Sequence, residues 1–196
     1  MNNFSKFLSD TILTCIKHKI GFDLVPEDHV LADGIKCSGY FDEVYLKVAI
    51  KKKDWQIILI HESCHLDQFT KKSLFWKEGE DGITLIDDWL KGKDFSSKKV
   101  EKSFKDTIIL ELDCEKRSLQ KIKKYKLNID SKEYIQKANA YLLSYWATYR
   151  DKKWYPFPYN KPEIYKQLPD KFLSLKEYYN KDSKYLKLYN ENNSKT

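Results

Sequence analysis

The sequence predicts an α+β fold, mainly helical, with a small antiparallel sheet beside one core helix. Three observations carry that expectation. Residues 4–20, 54–69, about 96–126 and 132–150 contain no proline or glycine, and in most of them apolar residues step by three or four. Only one stretch, residues 40–50, alternates with the period of two that a half-buried strand requires. No apolar run approaches the roughly 20 residues needed to span a bilayer, so no membrane partner is expected.

Taken in order, Phe4, Phe7, Leu8, Ile12, Cys15 and Ile16 share one face of a first helix, with Gly21 as its C-cap. Its charged residues and the lack of a small-residue cleavage site argue against a signal peptide, and a cytoplasmic location is expected. Residues 26–39 read as irregular, with Gly34 and Ser38-Gly39 as turn signals. Residues 40–50 follow as a strand with Val44, Leu46, Val48 and Ile50 on one face. Such a strand can add an extended peptide at its edge. Asp54 is a helix N-cap for residues 55–69. A polar connection over 70–82 leads to a short helix at 83–90, closed by Gly92. Ser96-Ser97 opens a long helix, and Asn128-Ile129-Asp130-Ser131 caps the next, a start that Ser131 with Glu133 favours. The aromatic, proline-rich segment 154–159 is not helical and reads as a cover over the core or the lining of a cleft. Short helices are expected at 163–167 and 173–179. A single domain over residues 1–189 and a disordered tail over 190–196 complete the layout.

Composition narrows the function classes. Hydrophobic residues are 41% and aromatics 15% of the chain, enough for a packed core and too much for a disordered one. The net charge of +7 comes nearly all from lysine, with arginine only at Arg117 and Arg150. The lysines are spread along the chain and the better phosphate fork is scarce, so nucleic acid is a possible partner but not the favoured one. Cys15, Cys37, Cys64 and Cys114 show no C-x-x-C spacing, which argues for free thiols over a cysteine zinc site or a disulfide framework.

The stretch around which this layout turns is His61-Glu62-Ser63-Cys64-His65. Positions four apart on a helix lie about 6 Å apart at Cβ. His61 and His65 can therefore offer two imidazole nitrogens to one metal ion. Glu62 stands about 100° further round and can act as general base on a water. The flanking Ile57, Ile58, Leu59 and Ile60 make this a core helix, where polar groups need partners. The only other histidines are His18 and His29, both upstream, so a third ligand after the motif should be a carboxylate. In the long helix, Phe104, Ile108, Glu111, Glu115, Leu119 and Ile122 form one stripe that is apolar except for two acids. Glu111 as ligand, with Glu115 accepting a hydrogen bond from a ligand imidazole, satisfies both; the reverse order also does.

The pattern His61-Glu62-x-x-His65, followed by a helix with Glu111-x-x-x-Glu115, resembles the gluzincin branch of the zincin metallopeptidases. In that branch the third ligand is a glutamate on a later helix, often followed four residues on by an aspartate, where this chain has Glu115. Residues 60–69, 110–117 and 134–145 are also similar to small phage-encoded metallopeptidases. The resemblance implies a zincin-like domain that holds Zn²⁺ and hydrolyses peptide bonds of a peptide or protein substrate, in the host cytoplasm if phage-encoded. An oxyanion donor is then needed, and Tyr141 and Tyr145 are candidates, or else core aromatics. Two other readings stay open. One is a zinc-binding sensor or interaction module. The other is a metallohydrolase acting on DNA-associated proteins, which a lysine cluster beside the metal cleft would favour.

Overall fold

The computed structural model describes residues 2–32, 34–155 and 158–191. The fold is α+β and mainly helical: among the described residues all strands lie within residues 21–49, and long helices occupy most of the rest. Two compact units divide the chain. One holds Met1–Trp76 with Cys114–Asn128, the other Lys77–Asp113 with Ile129–Thr196.

In the first unit, helix α1 (Asn3–His18) is capped by the Asn2 side chain, which accepts from the Ser5 amide at 2.7 Å. It ends at Lys19 in the left-handed region, φ 58°. Gly21 is not the cap; it opens strand β1 (Gly21–Val25). A Cβ at Gly21 would lie 2.2 Å from the Tyr45 ring, which covers this glycine from the paired position on the neighbouring strand.

Residues 26–39 are more regular than expected. They contain β2 (Val30–Ala32) and β3 (Ile35–Cys37), paired antiparallel. The single strand expected over 40–50 is a hairpin of β4 (Gly39–Phe41) and β5 (Tyr45–Ala49). Asp42 turns it by accepting from the amides of Val44 and Tyr45, at 3.1 and 2.6 Å. Leu46 and Val48 are fully buried, but Val44 lies in the turn and is 60% exposed. The sheet order is β1-β5-β4, with β1 parallel and β4 antiparallel to β5. The sheet is therefore mixed, not antiparallel, because the chain passes through the β2–β3 hairpin before it returns beside β1. β5 is central with both of its edges paired, and β4 lies at the edge of this sheet. β4 and β5 pack against α2 (Trp55–Thr70). Asp54 stands at its N-cap position without a side-chain cap bond; its carbonyl accepts from Ile57 and Ile58 instead.

The helix expected to begin at residue 83 is longer: α3 runs unbroken over Leu74–Leu90. The glycines that read as loop signals are contact glycines. In the second unit a Cβ on Gly79 would sit 2.4 Å from the Leu110 side chain, so α3 packs closely on α4 (Ser97–Lys124). Gly92, with φ 93°, does close α3. Helix α5 (Ser131–Asp151) is capped from within the expected segment 128–131, by Asp130: its carboxylate accepts from the Lys132 amide at 2.8 Å. Trp146 of α5 stacks on Phe104 and donates to the Tyr178 carbonyl at 2.6 Å. The Tyr178 hydroxyl donates to Asn139, whose amide donates to the carbonyls of Pro169 and Lys171. These bonds tie α7 (Leu175–Tyr178) and the connection that leads to it from α6 (Pro162–Tyr165) to α5. In the aromatic segment, Trp154 donates to Asp87 at 2.9 Å, and Pro158–Asn160 is a short 3-10 turn; Pro156 and Phe157 lie outside the described residues. Helix α8 (Leu188–Glu191) covers the start of the expected tail, and residues 192–196 lie outside the described ones. Among the described residues, no helix is long and apolar enough to cross a membrane.

Candidate metal centre

Two helices supply the site. On α2, the Nε2 atoms of His61 and His65 face each other at 3.1 Å. Their outer nitrogens are engaged: His61 Nδ1 lies 3.1 Å from Glu115 Oε1, and His65 Nδ1 lies 2.9 Å from Gln68 Oε1. Carboxylate and amide oxygens only accept, so each Nδ1 carries its hydrogen, and in a neutral imidazole Nε2 is then a lone pair. Two lone pairs at that separation repel unless a cation lies near both. Two metal–nitrogen bonds of about 2.0–2.1 Å at a tetrahedral angle place the nitrogens roughly 3.3 Å apart. The observed spacing fits a divalent ion. The ring of Trp76, 5.8 Å from that of His65, and the fully buried Gln68 help hold His65 in place.

The ligand atoms of His61, His65, Glu111 and Cys114 all lie within 4.8 Å of one another, a group that can hold a metal ion. Glu111 and Cys114 both come from α4, which is unbroken through both. Cys114 Sγ lies 3.4 Å from the His61 carbonyl and 3.6 Å from His61 Nδ1, on the outer side of that ring. Glu111 is buried and accepts from the Tyr145 hydroxyl at 3.5 Å. Tyr141 and Tyr145 share a hydroxyl contact of 2.9 Å. Burial first, and the Glu111 charge second, hold the Tyr145 phenol well above its usual range, so it keeps its proton. Glu62 is buried next to His61. Cys37 on β3 is not part of the group; burial, with a contribution from the Glu62 charge, pushes its thiol to about 11.

The sequence did not reveal Gln68, Cys114, Ser118 and Lys121 as parts of this neighbourhood. Ser118, not Leu119, is the fully buried residue of that turn of α4, and it donates to Cys64 Sγ at 3.3 Å. Burial pushes the Cys64 thiol up, but a hydrogen bond from Cys114, the Lys121 charge and the Ser118 hydroxyl together bring it down to about 6. Lys121 donates to the Ser63 carbonyl at 2.8 Å and pairs with Asp67 at 2.9 Å. Burial alone would raise the Asp67 carboxyl; the charges and hydrogen bonds of Lys121 and then Lys71 together outweigh it and hold that carboxyl below its usual range. Gln68 had a signal, since it stands one turn beyond His65. Lys121 had none that set it apart from the other lysines.

Comparison of the chain with family models, with curated proteins and with solved structures finds no match.

Proposed function

We propose that the protein is a zinc-dependent metallopeptidase, with the ion held by Nε2 of His61, Nε2 of His65 and Glu111. The observation that carries this reading is the facing pair of Nε2 atoms, each on a ring whose other nitrogen already donates to an acceptor. The thiol of Cys114 stands on the Nδ1 side of His61, which favours Glu111 as the third ligand. Glu115 fixes the His61 tautomer and raises its basicity.

When bound, zinc polarises a substrate carbonyl and lowers the pKa of water towards about 7. Glu62 takes the proton of the attacking water and delivers it to the leaving amine. A closed structural site needs no such base, so Glu62 favours chemistry over a purely structural metal. Tyr145, which retains its phenolic proton, is the donor suited to a developing oxyanion, with Tyr141 hydrogen-bonded behind it. The clustered cations that would favour a hydrolase working at DNA line the opposite face of α2, away from the histidines.

The test is zinc content and peptide cleavage measured together. Wild type should hold about one zinc per chain, as a catalytic site does. Glu111→Gln should lose it. Glu62→Gln should keep it while cleavage of a peptide library falls at least about a hundredfold. A folded wild-type protein that takes up no zinc would sink the reading. Loss of zinc in Glu115→Gln with retention in Glu111→Gln would exchange the roles of the two acids.

A further inference from the structure

On the side of α2 away from His61 and His65, a groove of about 710 Å³ opens within the first unit, between α1, α2 and the last turns of α4. Its floor is apolar: Phe7, Leu66 and Tyr125 are buried there. One wall is Leu13, which is 60% exposed, an unusual position for a leucine beside a concave surface. Lys17, Lys71, Arg117, Lys121 and Lys124 also line it. Among the lining residues two are carboxylates, Asp10 and Asp67, and both are engaged. Asp10 accepts from the Tyr125 hydroxyl at 2.7 Å, and Asp67 is paired with Lys121 at 2.9 Å and Lys71 at 3.3 Å. The rim is therefore positive over an apolar floor.

The volume falls within the range of about 300–1,000 Å³ typical of ligand sites. A single nucleic-acid strand would want exposed aromatic faces on which bases stack. Phe7 and Tyr125 offer none, because they are buried and packed edge to face on each other. Separate ammonium groups around an aliphatic wall suit separate carboxylates flanking an apolar side chain. We propose that this groove binds an acidic peptide segment, seating one aliphatic side chain against Leu13 and Leu66 with its carboxylates towards Lys17 and Lys124. The site needs no metal, and its occupancy is separable from the histidine pair.

The experiment is fluorescence anisotropy with a labelled glutamate-rich peptide carrying one central leucine, on metal-stripped and zinc-loaded protein. Binding should be the same in both forms and should weaken with salt. Lys17→Gln combined with Lys124→Gln should weaken it about tenfold, the scale of two exposed ion pairs. Leu13→Ser should weaken it severalfold with the charges untouched. All three positions are exposed, so circular dichroism should report an intact fold. Three results would overturn the proposal: no binding, binding unchanged in either variant, or a glutamine analogue of the peptide binding equally well. Displacement of the peptide by oligothymidine at lower concentration than by unlabelled peptide would overturn it in favour of a phosphodiester ligand.

Discussion

On one face of α2, Ser63 and Asp67 meet Lys121; on the other, His61 and His65 meet each other. Both faces bury polar groups on the same core helix, and both lean on the same helix α4. Along α4, Cys114 and Glu115 serve His61, Ser118 serves Cys64, and Lys121 serves Ser63 and Asp67. The difference is where the positive charge comes from. At Asp67 the chain provides its own cation, and the polar groups are closed by protein partners. At the histidines, Glu115 of α4 and Gln68 of α2 itself provide acceptors, which turn both Nε2 lone pairs inward. A face closed by lysine is a structural device. A face that sets up lone pairs and adds carboxylates can hold a cation from outside the chain.

If the first face is structural, its largest effect should appear in stability. Lys121→Met leaves Asp67 without its main partner. Breaking a buried pair costs about 3–5 kcal/mol; here Lys71 remains and some solvent reaches the pair, so about 2–3 kcal/mol is expected. The Asp67 carboxyl is depressed in the folded state. Its contribution is therefore full above the unfolded carboxylate value near 3.8 and is lost as pH falls through the lower folded value. Urea denaturation should show a large gap between wild type and Lys121→Met at neutral pH, closing below about pH 4. Equal midpoints at neutral pH would mean that the lysine does not close this face.

The histidine face should respond to metal instead. Zinc at about a hundred times its dissociation constant should stabilise the wild type by about 2.7 kcal/mol. For a chain of this size that is a rise of about 5–10 °C in Tm. His65→Ala should abolish the rise, and Lys121→Met should keep it from its lower starting point. A rise that survives in His65→Ala would place the zinc elsewhere. Glu115→Gln is the finer probe. Its amide oxygen still accepts from His61 Nδ1, but the negative charge is gone. Zinc affinity, read by competition with a chromophoric chelator, should fall about tenfold, at the low end for an acceptor behind a ligand.

The histidine face was readable in the sequence because a helix fixes angular positions, so His61, Glu62 and His65 are placed by spacing alone. Glu111 and Glu115 were readable because acids stand out within an apolar stripe. The lysine face was not readable. Polarity patterns put Leu119 inside and Ser118 outside, whereas close approach of α4 to Cys64 selects the smaller side chain, and Ser118 is the buried one. The same effect hid the start of α3: Gly79 looks like a loop signal and is a packing surface against Leu110. The parallel pairing of β1 with β5 was out of reach, because register between strands distant in sequence is set by partners that local periodicity does not encode.

Cys64 lies between the two faces on α2, and Ser118 donates to it. Ser118→Ala therefore tests whether the faces are separate. Alanine fills nearly the same space, so the loss is one hydrogen bond to sulfur, about 0.5–1 kcal/mol in urea denaturation. The Cys64 thiol should also rise, since one of the groups that lower it is gone. Zinc affinity should not change, because the bonds that orient the rings come from Glu115 and Gln68. If Ser118→Ala weakened zinc as much as Glu115→Gln, the orientation of the histidines would depend on the whole line of α4 contacts, and the distinction between a closed structural face and a metal face would fail.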